Sequence, residues 1–388
     1  MRAIFVNSGF LGHRVVGRLV RAAVAALPDV DASHIDLSSE LTLFDRAVRR
    51  LLSLPLAPSS GPAANLDLRR WREEMNVGLL ARRRIDRIER RVGAADLLHF
   101  HTQAAAYASL DRMARTPTIV SIDATQRLAS LELPGSLARL TYRPNASRDA
   151  RVFRSAAAII STSAWAARDL ARSQPDCAAK TRVLPYPVDL AAFDPAWTAE
   201  RRARPGTARP RAVFVGGDFP RKGGFDLLEA WRAGAFGARA TLDLVTDFPL
   251  DPRSLPDGVR VVRGIAPYSD AWREMWRGAD LFVMPTRSEA FGMVFQEAAA
   301  AGLPAIGTRI NAIPELIDDG ATGMLVDPGD RRALAAALDH LIADAAGRVA
   351  LGGAARQRIE RVGAPDVYAR QLAAIIQELV AHRELRRA

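Results

Sequence analysis

Several features are scarce in this 388-residue sequence, and each absence excludes a class of protein. A single cysteine, Cys177, excludes a disulfide within the chain and fits a reducing compartment. No apolar run approaches the roughly 20 residues that a membrane-spanning helix needs. Lys180 and Lys222 are the only lysines, so the net charge of +11 rests on arginine. What remains is a chain of ordinary composition, long enough for two domains with separate cores.

Signals for metal binding and for export are also missing. No Asp-x-Asp pair follows an expected strand, and no His and Cys residues have the spacing of metal ligands. We therefore expect no required metal ion and no cofactor. The opening residues, MRAIFVNSGF, contain an apolar run too short for a signal peptide and are expected to form a first strand. These features favour a cytoplasmic protein.

The arginine content has two interpretations. It reflects either genome composition or attraction to anionic lipid or another polyanion. Residues 66–92 predict a helix with one apolar face and a dense arginine face. That helix is either an ordinary solvated surface or a peripheral contact with an anionic membrane or anionic acceptor. Positive charge is the only feature that suggests a nucleic-acid partner. Because no recognition motif accompanies it, we expect none.

Strands and helices alternate along the chain. The pattern predicts strands at residues 3–6, 96–101, 118–123, 157–161, 211–216, 241–246, 260–264, 281–285 and 305–307. Residues 194–210 interrupt the alternation with Pro, Arg and Gly and are interpreted as a linker. We predict an α/β fold of two Rossmann-like, doubly wound domains facing a cleft. They span residues 1–200 and 208–364, and a final helix, 365–388, packs back on the first domain.

Two carboxylates lie on either side of one predicted strand-to-helix turn. Glu289 follows the strand at 281–285, and Glu297 lies inside the helix that begins near Gly292. The free amides at the start of such a helix can hold an anion. A loop glutamate and a helix glutamate would then reach opposite ends of a ligand centred on that anion. A nucleotide sugar has that layout: sugar, diphosphate and ribose.

Residues 279–330 resemble the donor half of glycosyltransferase family 4. The likeness rests on Glu289-x7-Glu297, Gly302-x-Pro304, Pro314-Glu315 and Gly320-x-x-Gly323, and it extends more weakly over nearly the whole chain. Members of that family have the GT-B fold and transfer sugars with retention of configuration. The resemblance implies that the second domain binds a nucleotide-sugar donor and that the first is on the acceptor side.

The resemblance assigns a role to each residue of this turn. Glu289 would contact hydroxyls of the donor sugar, and Glu297 would accept hydrogen bonds from the ribose. Amides near four residues would cradle phosphate or sugar oxygens: Phe291, Gly292, Met293 and Val294. The physical chemistry agrees, because a carboxylate that holds two vicinal hydroxyls makes strong charge-assisted bonds.

A second loop, residues 214–224, supplies the cations. Lys222-Gly223 matches the Lys-Gly of the family, in which an arginine and a lysine neutralise the donor diphosphate. The family arginine is replaced by Gly217, and we expect Arg221 to supply the missing charge. Gly216 lies in the same donor-binding loop. The alternative for Arg221 and Lys222 is a solvated turn.

Three positions of the first domain are candidate site residues. Gly9 and Gly12 follow the first strand and either let a loop approach the donor phosphates or form an ordinary turn. His101 resembles the family's His-x-His stretch and is otherwise a structural histidine. Asp123 occupies a position where the family often has histidine. It either orients a sugar or acceptor hydroxyl or caps the next helix.

Other departures concern specificity. Tyr186-Pro187 replaces a usual Asn-Gly. Arg309-Ile310-Asn311-Ala312 stands where the family usually has a glycine pair, and this stretch would narrow the base or sugar pocket. Loops such as residues 51–64 are expected to select the acceptor.

The sequence predicts a retaining glycosyltransferase that moves a sugar from a UDP- or GDP-sugar to a hydroxyl of a glycan, lipid or small molecule. No motif identifies a nucleophilic carboxylate, so the resemblance implies that the leaving phosphate takes the acceptor proton. Two alternatives stay open. One is a nucleotide-sugar epimerase of the same fold, and the other is a non-catalytic nucleotide-sugar binding protein.

Overall fold

The structure, a computed structural model, describes residues 1–9, 13–25, 27, 29–39, 41–56, 67–132, 136–203 and 209–385. It divides into two compact units. The first unit contains Met1–Pro187 together with Asp366–Ala388, and the second contains Val188–Pro365. Each unit has its own parallel six-stranded sheet covered by helices. The two sheets confirm the predicted α/β fold with two doubly wound domains.

The first unit begins with a strand whose interior residues are all buried. Its sheet has the order β2-β1-β3-β4-β5-β6. The strands are β1 (Arg2–Asn7), β2 (Asp31–Asp36), β3 (Leu97–His101), β4 (Thr118–Ile122), β5 (Ala158–Ser161) and β6 (Thr181–Val183). The helices are α1 (His13–Ala25), α2 (Leu43–Leu52), α3 (Arg69–Val92), α4 (Leu110–Met113), α5 (Gln126–Leu131), α6 (Ser136–Leu140), α7 (Arg143–Ser155) and α8 (Ala164–Ser173).

The second unit has the sheet order β12-β11-β10-β7-β8-β9. Its strands are β7 (Arg211–Val215), β8 (Thr241–Val245), β9 (Val259–Val262), β10 (Leu281–Val283), β11 (Ala305–Thr308) and β12 (Gly323–Val326). Its helices are α9 (Ala196–Ala203), α10 (Gly224–Ala233), α11 (Asp270–Gly278), α12 (Met293–Ala300), α13 (Arg331–Ala343) and α14 (Ala345–Val362). The last helix, α15 (Pro365–Leu385), returns the chain to the first unit.

The division between units differs from the predicted boundary at residue 200. Residues 196–203 of the predicted linker form α9 and belong to the second unit. Trp197 is buried against Phe193, with ring centroids 6.1 Å apart. Arg201 donates to the backbone oxygens of Ala279 (2.7 Å) and Ala301 (2.6 Å), which ties α9 to this core. Arg201 can thus be buried in an otherwise largely exposed helix, because carbonyl groups satisfy its guanidinium.

The final helix packs within the first unit. Tyr368 and Leu372 are buried, and Glu378 pairs with Arg182 of β6 at 3.1 Å. An apolar face and a surface ion pair therefore hold this segment to the domain in which the chain began.

Helix α3 occupies most of the predicted 66–92 segment, and much of its positive charge is paired. Four of its ion pairs with neighbouring carboxylates are Arg69–Glu73, Arg70–Glu74, Arg72–Asp67 and Arg82–Asp111. Leu80 and Ile85 are buried in the core, whereas Leu79 is 44% exposed. The predicted arginine face is therefore in large part a set of local ion pairs.

Candidate functional site

The sheet order of the second unit brings two loops together. Strand β7 is the first strand of this sheet, and its neighbours are β8 on one side and β10 on the other. Strand order reverses at such a point, and the carboxyl ends of doubly wound strands leave a crevice there. The loop after β7 carries Lys222, and the loop after β10 carries Glu289.

The two loops meet in an ion pair. The Lys222 Nζ lies 3.0 Å from Glu289 Oε2, and both side chains are more than four-fifths buried. The Arg221 guanidinium lies 3.8 Å from the same carboxylate oxygen and donates to the Ser288 backbone oxygen at 2.6 Å. It also pairs with Asp218 at 2.9 Å. Two cations and two carboxylates thus form a compact cluster at the end of the sheet.

Backbone contacts fix the relative position of these loops. The Arg287 amide donates to the Arg221 carbonyl at 2.8 Å. The Thr286 hydroxyl donates to the Ser288 carbonyl oxygen at 2.9 Å and lies 3.3 Å from the Arg221 carbonyl oxygen. Gly223 has φ +77, and a Cβ there would clash with the Pro285 carbonyl. Only glycine permits this close approach. In the Lys-Gly dipeptide, Lys222 therefore meets an electrostatic requirement and Gly223 a steric one.

Helix α12 begins beside this cluster. Its N-cap residue, Gly292, has φ +88 and ψ +56, and a Cβ there would lie 2.9 Å from Ile313 Cδ1. The Phe295 amide bonds to the Gly292 carbonyl, as the first turn requires. The helix has no acidic residue in its first turn, so the positive end of its dipole faces outward without a protein carboxylate from that turn. This arrangement suits an anionic ligand.

Glu297 lies one turn into α12. Its carboxylate is half-buried and makes no hydrogen bond or ion pair with any residue that the structure describes. Burial raises the pKa of Glu297 to about 8, and the Lys222 cation opposes that shift. Partial burial deprives the carboxyl group of some of its water, and no described residue replaces the hydrogen bonds that it loses. Ligand hydroxyls would restore those hydrogen bonds.

A second polar cluster lies at the carboxyl ends of β3 and β4 in the first unit. His101 is the last residue of β3 and Asp123 follows β4, its neighbour in the sheet. His101 Nε2 lies 2.8 Å from the Tyr186 hydroxyl, and both side chains are buried. Burial raises the pKa of Tyr186 well above its usual value, and Asp123 and Tyr368 add to the shift. Tyr186 therefore stays protonated at neutral pH.

The fold matches solved glycosyltransferase structures over nearly its whole length. Sucrose-phosphate synthase from Thermosynechococcus elongatus has a TM-score of 0.72 at 19% identity, covering 98% of this chain and 100% of that one. Anabaena HepE in complex with UDP-glucose has a TM-score of 0.66 at 17% identity, covering 97% and 100%. These likenesses show the fold.

Each half of the chain also matches a family model. Residues 43–192 match the model described as Glycosyltransferase Family 4, and residues 209–344 match that described as Glycosyl transferases group 1. The chain therefore belongs to the glycosyltransferases of the GT-B type. The resemblance to family 4 inferred from the sequence is confirmed.

Curated relatives include D-inositol 3-phosphate glycosyltransferases. The protein of Arthrobacter sp. is 28% identical over 320 residues, which is 77% of this chain and 76% of the relative. The protein of Corynebacterium kroppenstedtii is 36% identical over 120 residues, which is 31% of this chain and 25% of the relative. Since the second alignment spans only a quarter of the relative, it carries no assignment of substrates to this glycosyltransferase.

The structure brings most of the predicted donor residues of this glycosyltransferase into one place. Lys222, Arg221 and Glu289 form the ion-pair cluster, while Gly216 packs against the Lys222 side chain. Residues 291–294 lead into and begin α12. A Cβ atom at Gly217 would have no other atom within 4 Å. The position at which the family has arginine therefore has room for a side chain. Arg309 pairs with Asp319 at 2.6 Å, which neutralises its charge within its own loop.

The first-unit glycines give less support for a ligand role. Gly9 has φ +69, and a Cβ there would clash with the Asp36 and Ser38 side chains. Its conformation is thus explained by packing against the end of β2. Gly12 and residues 57–64 of the expected acceptor loop lie outside the described residues.

Two residues of these clusters were not predicted as site residues. Tyr186 was noted only as a departure from the family pattern, although it joins the His101 and Asp123 cluster. Thr286, which joins the two donor loops, was not singled out. Tyr186-Pro187 in place of the usual Asn-Gly was the available signal for the first. For the second, the signal was a hydroxyl residue directly after a buried strand.

Within the described residues, no three His, Cys, Asp or Glu side chains are grouped as metal ligands. The expectation that this glycosyltransferase needs no metal ion stays a prediction. Likewise, none of the helices described here has the length and apolar character that a bilayer crossing demands.

Proposed function

We propose that this protein transfers a sugar from a nucleoside diphosphate sugar, of the UDP or GDP type, to a hydroxyl group with retention of configuration. The observation that carries the proposal is the Lys222–Glu289 pair beside the start of α12, with Glu297 unpartnered among the described residues. Cations, helix amides and two separated carboxylates match the diphosphate, sugar and ribose of such a donor.

Each group has a distinct task in this proposal. Lys222 and Arg221 neutralise the diphosphate, whose negative charge grows as the sugar departs. Glu289 holds hydroxyls of the sugar, and Glu297 holds those of the ribose. Because a carboxylate accepts strong hydrogen bonds from paired hydroxyls, each contact also orients the donor.

The bond changes follow same-face substitution. The bond between the anomeric carbon and the leaving phosphate oxygen breaks, and a bond forms from the acceptor oxygen to that carbon. The acceptor proton passes to the phosphate oxygen. The protein supplies position and charge stabilisation, and no nucleophilic side chain is required. His101, Asp123 and Tyr186 are assigned to the acceptor side, where they would orient a hydroxyl.

The UDP-glucose complex of HepE supports a UDP-sugar as the first donor to test. The acceptor is a hydroxyl of a glycan, a lipid or a small molecule. The relatives named D-inositol 3-phosphate glycosyltransferase place phosphorylated polyols among the small molecules to test. We further propose a cytoplasmic enzyme with peripheral membrane contact that acts in polysaccharide or glycolipid synthesis.

The test begins with thermal-shift screening of UDP-, GDP- and ADP-sugars, because a ligand that binds the native state raises its melting temperature. The stabilising donor is then incubated with an acceptor panel, and NMR reads the anomeric configuration of the product. Transfer with retention supports the proposal, and transfer with inversion contradicts the proposed mechanism. Activity after chelator treatment tests the expectation of metal independence.

Two outcomes would favour the alternatives. Conversion of the donor sugar without any acceptor would indicate an epimerase. Tight donor binding with no turnover across the panel would indicate a binding protein. The Glu297→Gln variant tests the ribose contact in each case, since it keeps the side-chain volume and removes the ionisable carboxyl group.

A further inference from the structure

Helix α2 is an amphipathic helix that leaves its apolar side in solvent. None of its residues is buried. Leu43 is 84% exposed, Phe44 63% and Leu51 66%. A capping box fixes its start, because Thr42 and Asp45 each bond the other's backbone amide at 3.1 Å. The helix is thus well formed at its N-terminus, and its exposed apolar residues are not a consequence of a frayed end.

The exposed apolar residues form one patch. Residues 43, 44, 47 and 51 share one side of the helix at the 3.6-residue period. Arg46 and Arg50 flank that side next to Leu43, and Arg49 lies on the opposite side. Leu54 and Leu56, just after the helix, are 47% and 75% exposed. A soluble domain gains about 1.5–3 kcal/mol from burying each such side chain, so this grouping in solvent indicates a surface meant to be covered.

The charge around the patch identifies what covers it. Arg46, Arg49 and Arg50 are exposed, and the guanidinium of Arg83 from α3 lies 6.0 Å from the centre of the Phe44 ring. The sequence contains no acidic residue between Asp45 and Asp67. Asp45 itself is held in the helix cap. Apolar side chains beside arginines, on a helix lying on the protein surface, match the interface of an anionic lipid bilayer.

We propose that the α2 surface, consisting of Leu43, Phe44, Leu51, Leu54 and Leu56 with Arg46, Arg49, Arg50 and Arg83, docks on an anionic membrane. The apolar side chains enter the boundary between headgroups and acyl chains, and the arginines bind lipid phosphates. This surface is centred on α2 and takes only Arg83 from the predicted 66–92 segment, in which four arginines are paired with carboxylates of the protein. It deepens the peripheral membrane contact of the proposed function and does not depend on sugar transfer, so a lack of transfer activity would leave it standing.

The experiment is vesicle co-sedimentation of the full chain. Vesicles of phosphatidylcholine are compared with vesicles that also contain phosphatidylglycerol, at low and high salt. The wild type should bind the anionic vesicles and lose binding as salt rises. The Phe44→Glu/Leu51→Glu variant should bind at least about tenfold more weakly, because two charges replace inserted apolar groups. Arg46→Gln/Arg50→Gln should weaken anionic binding by about 30-fold, since each arginine near such a surface contributes about fivefold.

A matched control replaces two leucines elsewhere on the first unit. Leu131 and Leu140 are 47% and 40% exposed, so Leu131→Glu/Leu140→Glu changes charge and hydrophobicity equally without touching α2. Its vesicle binding should equal that of the wild type. Circular dichroism confirms that each variant folds, which is expected because α2 buries no residue.

Three results would overturn the proposal. The first is no wild-type binding to anionic vesicles, and the second is equal loss of binding in the α2 variant and the control variant. The third is a dimer in solution that the Phe44→Glu/Leu51→Glu variant converts to a monomer, which would assign the surface to a second copy of the chain. Salt-sensitive binding lost only in the α2 variants would support it.

Discussion

Replacing either partner of the Lys222–Glu289 ion pair should change nucleotide affinity in opposite directions. In the structure Lys222 neutralises Glu289 across 3.0 Å. A diphosphate that reaches Lys222 must compete with that carboxylate, and Glu289 also repels it. Lys222→Ala should therefore weaken UDP binding. Glu289→Ala should strengthen UDP binding, while it abolishes the extra affinity contributed by the sugar.

The magnitudes follow from the distance and the burial. At 3.0 Å and an effective dielectric of about 20, the attraction within the pair is about 5 kcal/mol before desolvation. Most of that is offset because both groups lose water, which leaves about 1 kcal/mol net. Glu289→Ala should thus tighten UDP binding by about 3- to 10-fold. Lys222→Ala removes a charge-assisted phosphate contact, which is about 2–3 kcal/mol or 30- to 100-fold.

Isothermal titration of UDP and of the UDP-sugar with each variant measures both effects. The chain offers a matched control, because Lys180 is its only other lysine. The Lys180 ammonium donates to the carbonyls of Arg154 (2.8 Å) and Ala156 (2.7 Å) in the first unit. Lys180→Ala should leave UDP affinity unchanged. Amine labelling followed by mass spectrometry gives an independent check, since UDP should protect Lys222 and not Lys180.

One result would refute the reasoning directly. If Glu289→Ala weakens UDP binding as much as Lys222→Ala does, Glu289 contacts the nucleotide and does not compete with it. In transfer assays both variants should lose about 30- to 150-fold in turnover, because each removes a transition-state contact of about 2–3 kcal/mol. Full activity in both would show that the donor site lies elsewhere.

Three further predictions concern single positions of the second unit. Gly217→Arg should strengthen UDP binding severalfold, because the position has room for a side chain. Gly353→Arg is the control, since that position is equally unobstructed and should leave UDP binding unchanged. Isothermal titration of UDP measures both. The free energy of unfolding of Glu297→Gln should rise relative to that of the wild type as pH increases from about 4.5 to 8. In that window the folded wild type keeps a proton on Glu297 that the unfolded chain has lost. Its free energy of unfolding therefore falls as pH rises, by about 1–3 kcal/mol. Denaturant titrations at each pH measure this, and a pH-independent difference would contradict it. Gly223→Ala should lower the free energy of unfolding by at least about 2 kcal/mol, since its Cβ would clash with Pro285; an unchanged denaturation midpoint would refute that.

Strongly apolar strands could be predicted from the sequence within one or two residues. β1, β3, β4 and β7 all have buried interiors, and their hydrophobic runs are bounded by polar or turn residues. The strands that the sequence did not reveal, β2, β6 and β12, lie at sheet edges, and of these only β12 (GMLV) has an apolar run, which is three residues long. β2 reads DASHID, and its only fully buried residue is Ile35. Edge strands need fewer apolar residues because they are partly exposed, so local pattern does not mark them.

The pairing of site residues could be predicted only in part. Glu289 and Glu297 are separated by one helical turn and a loop, so local rules placed them. Lys222 is 67 positions from Glu289, and their contact depends on β7 and β10 being neighbours in the sheet. Strand order is a property of the folded sheet and is not written in any local periodicity. The contact of Tyr186 with His101, across 85 positions, has the same origin.

The topology explains why both clusters lie where they do. In each sheet the first strand of the unit has a neighbour on both sides, β2 and β3 around β1, and β8 and β10 around β7. Strand order reverses there, so the loops at the carboxyl ends diverge and leave room for a ligand. The departure from the family pattern at Gly217 falls in the loop after β7, whereas Asp123 follows β4, which β3 separates from β1. The buried strands resist such change because their packing is dense, whereas an open loop position such as Gly217 accepts it. Differences in substrate among proteins of this fold are therefore expected in these loops.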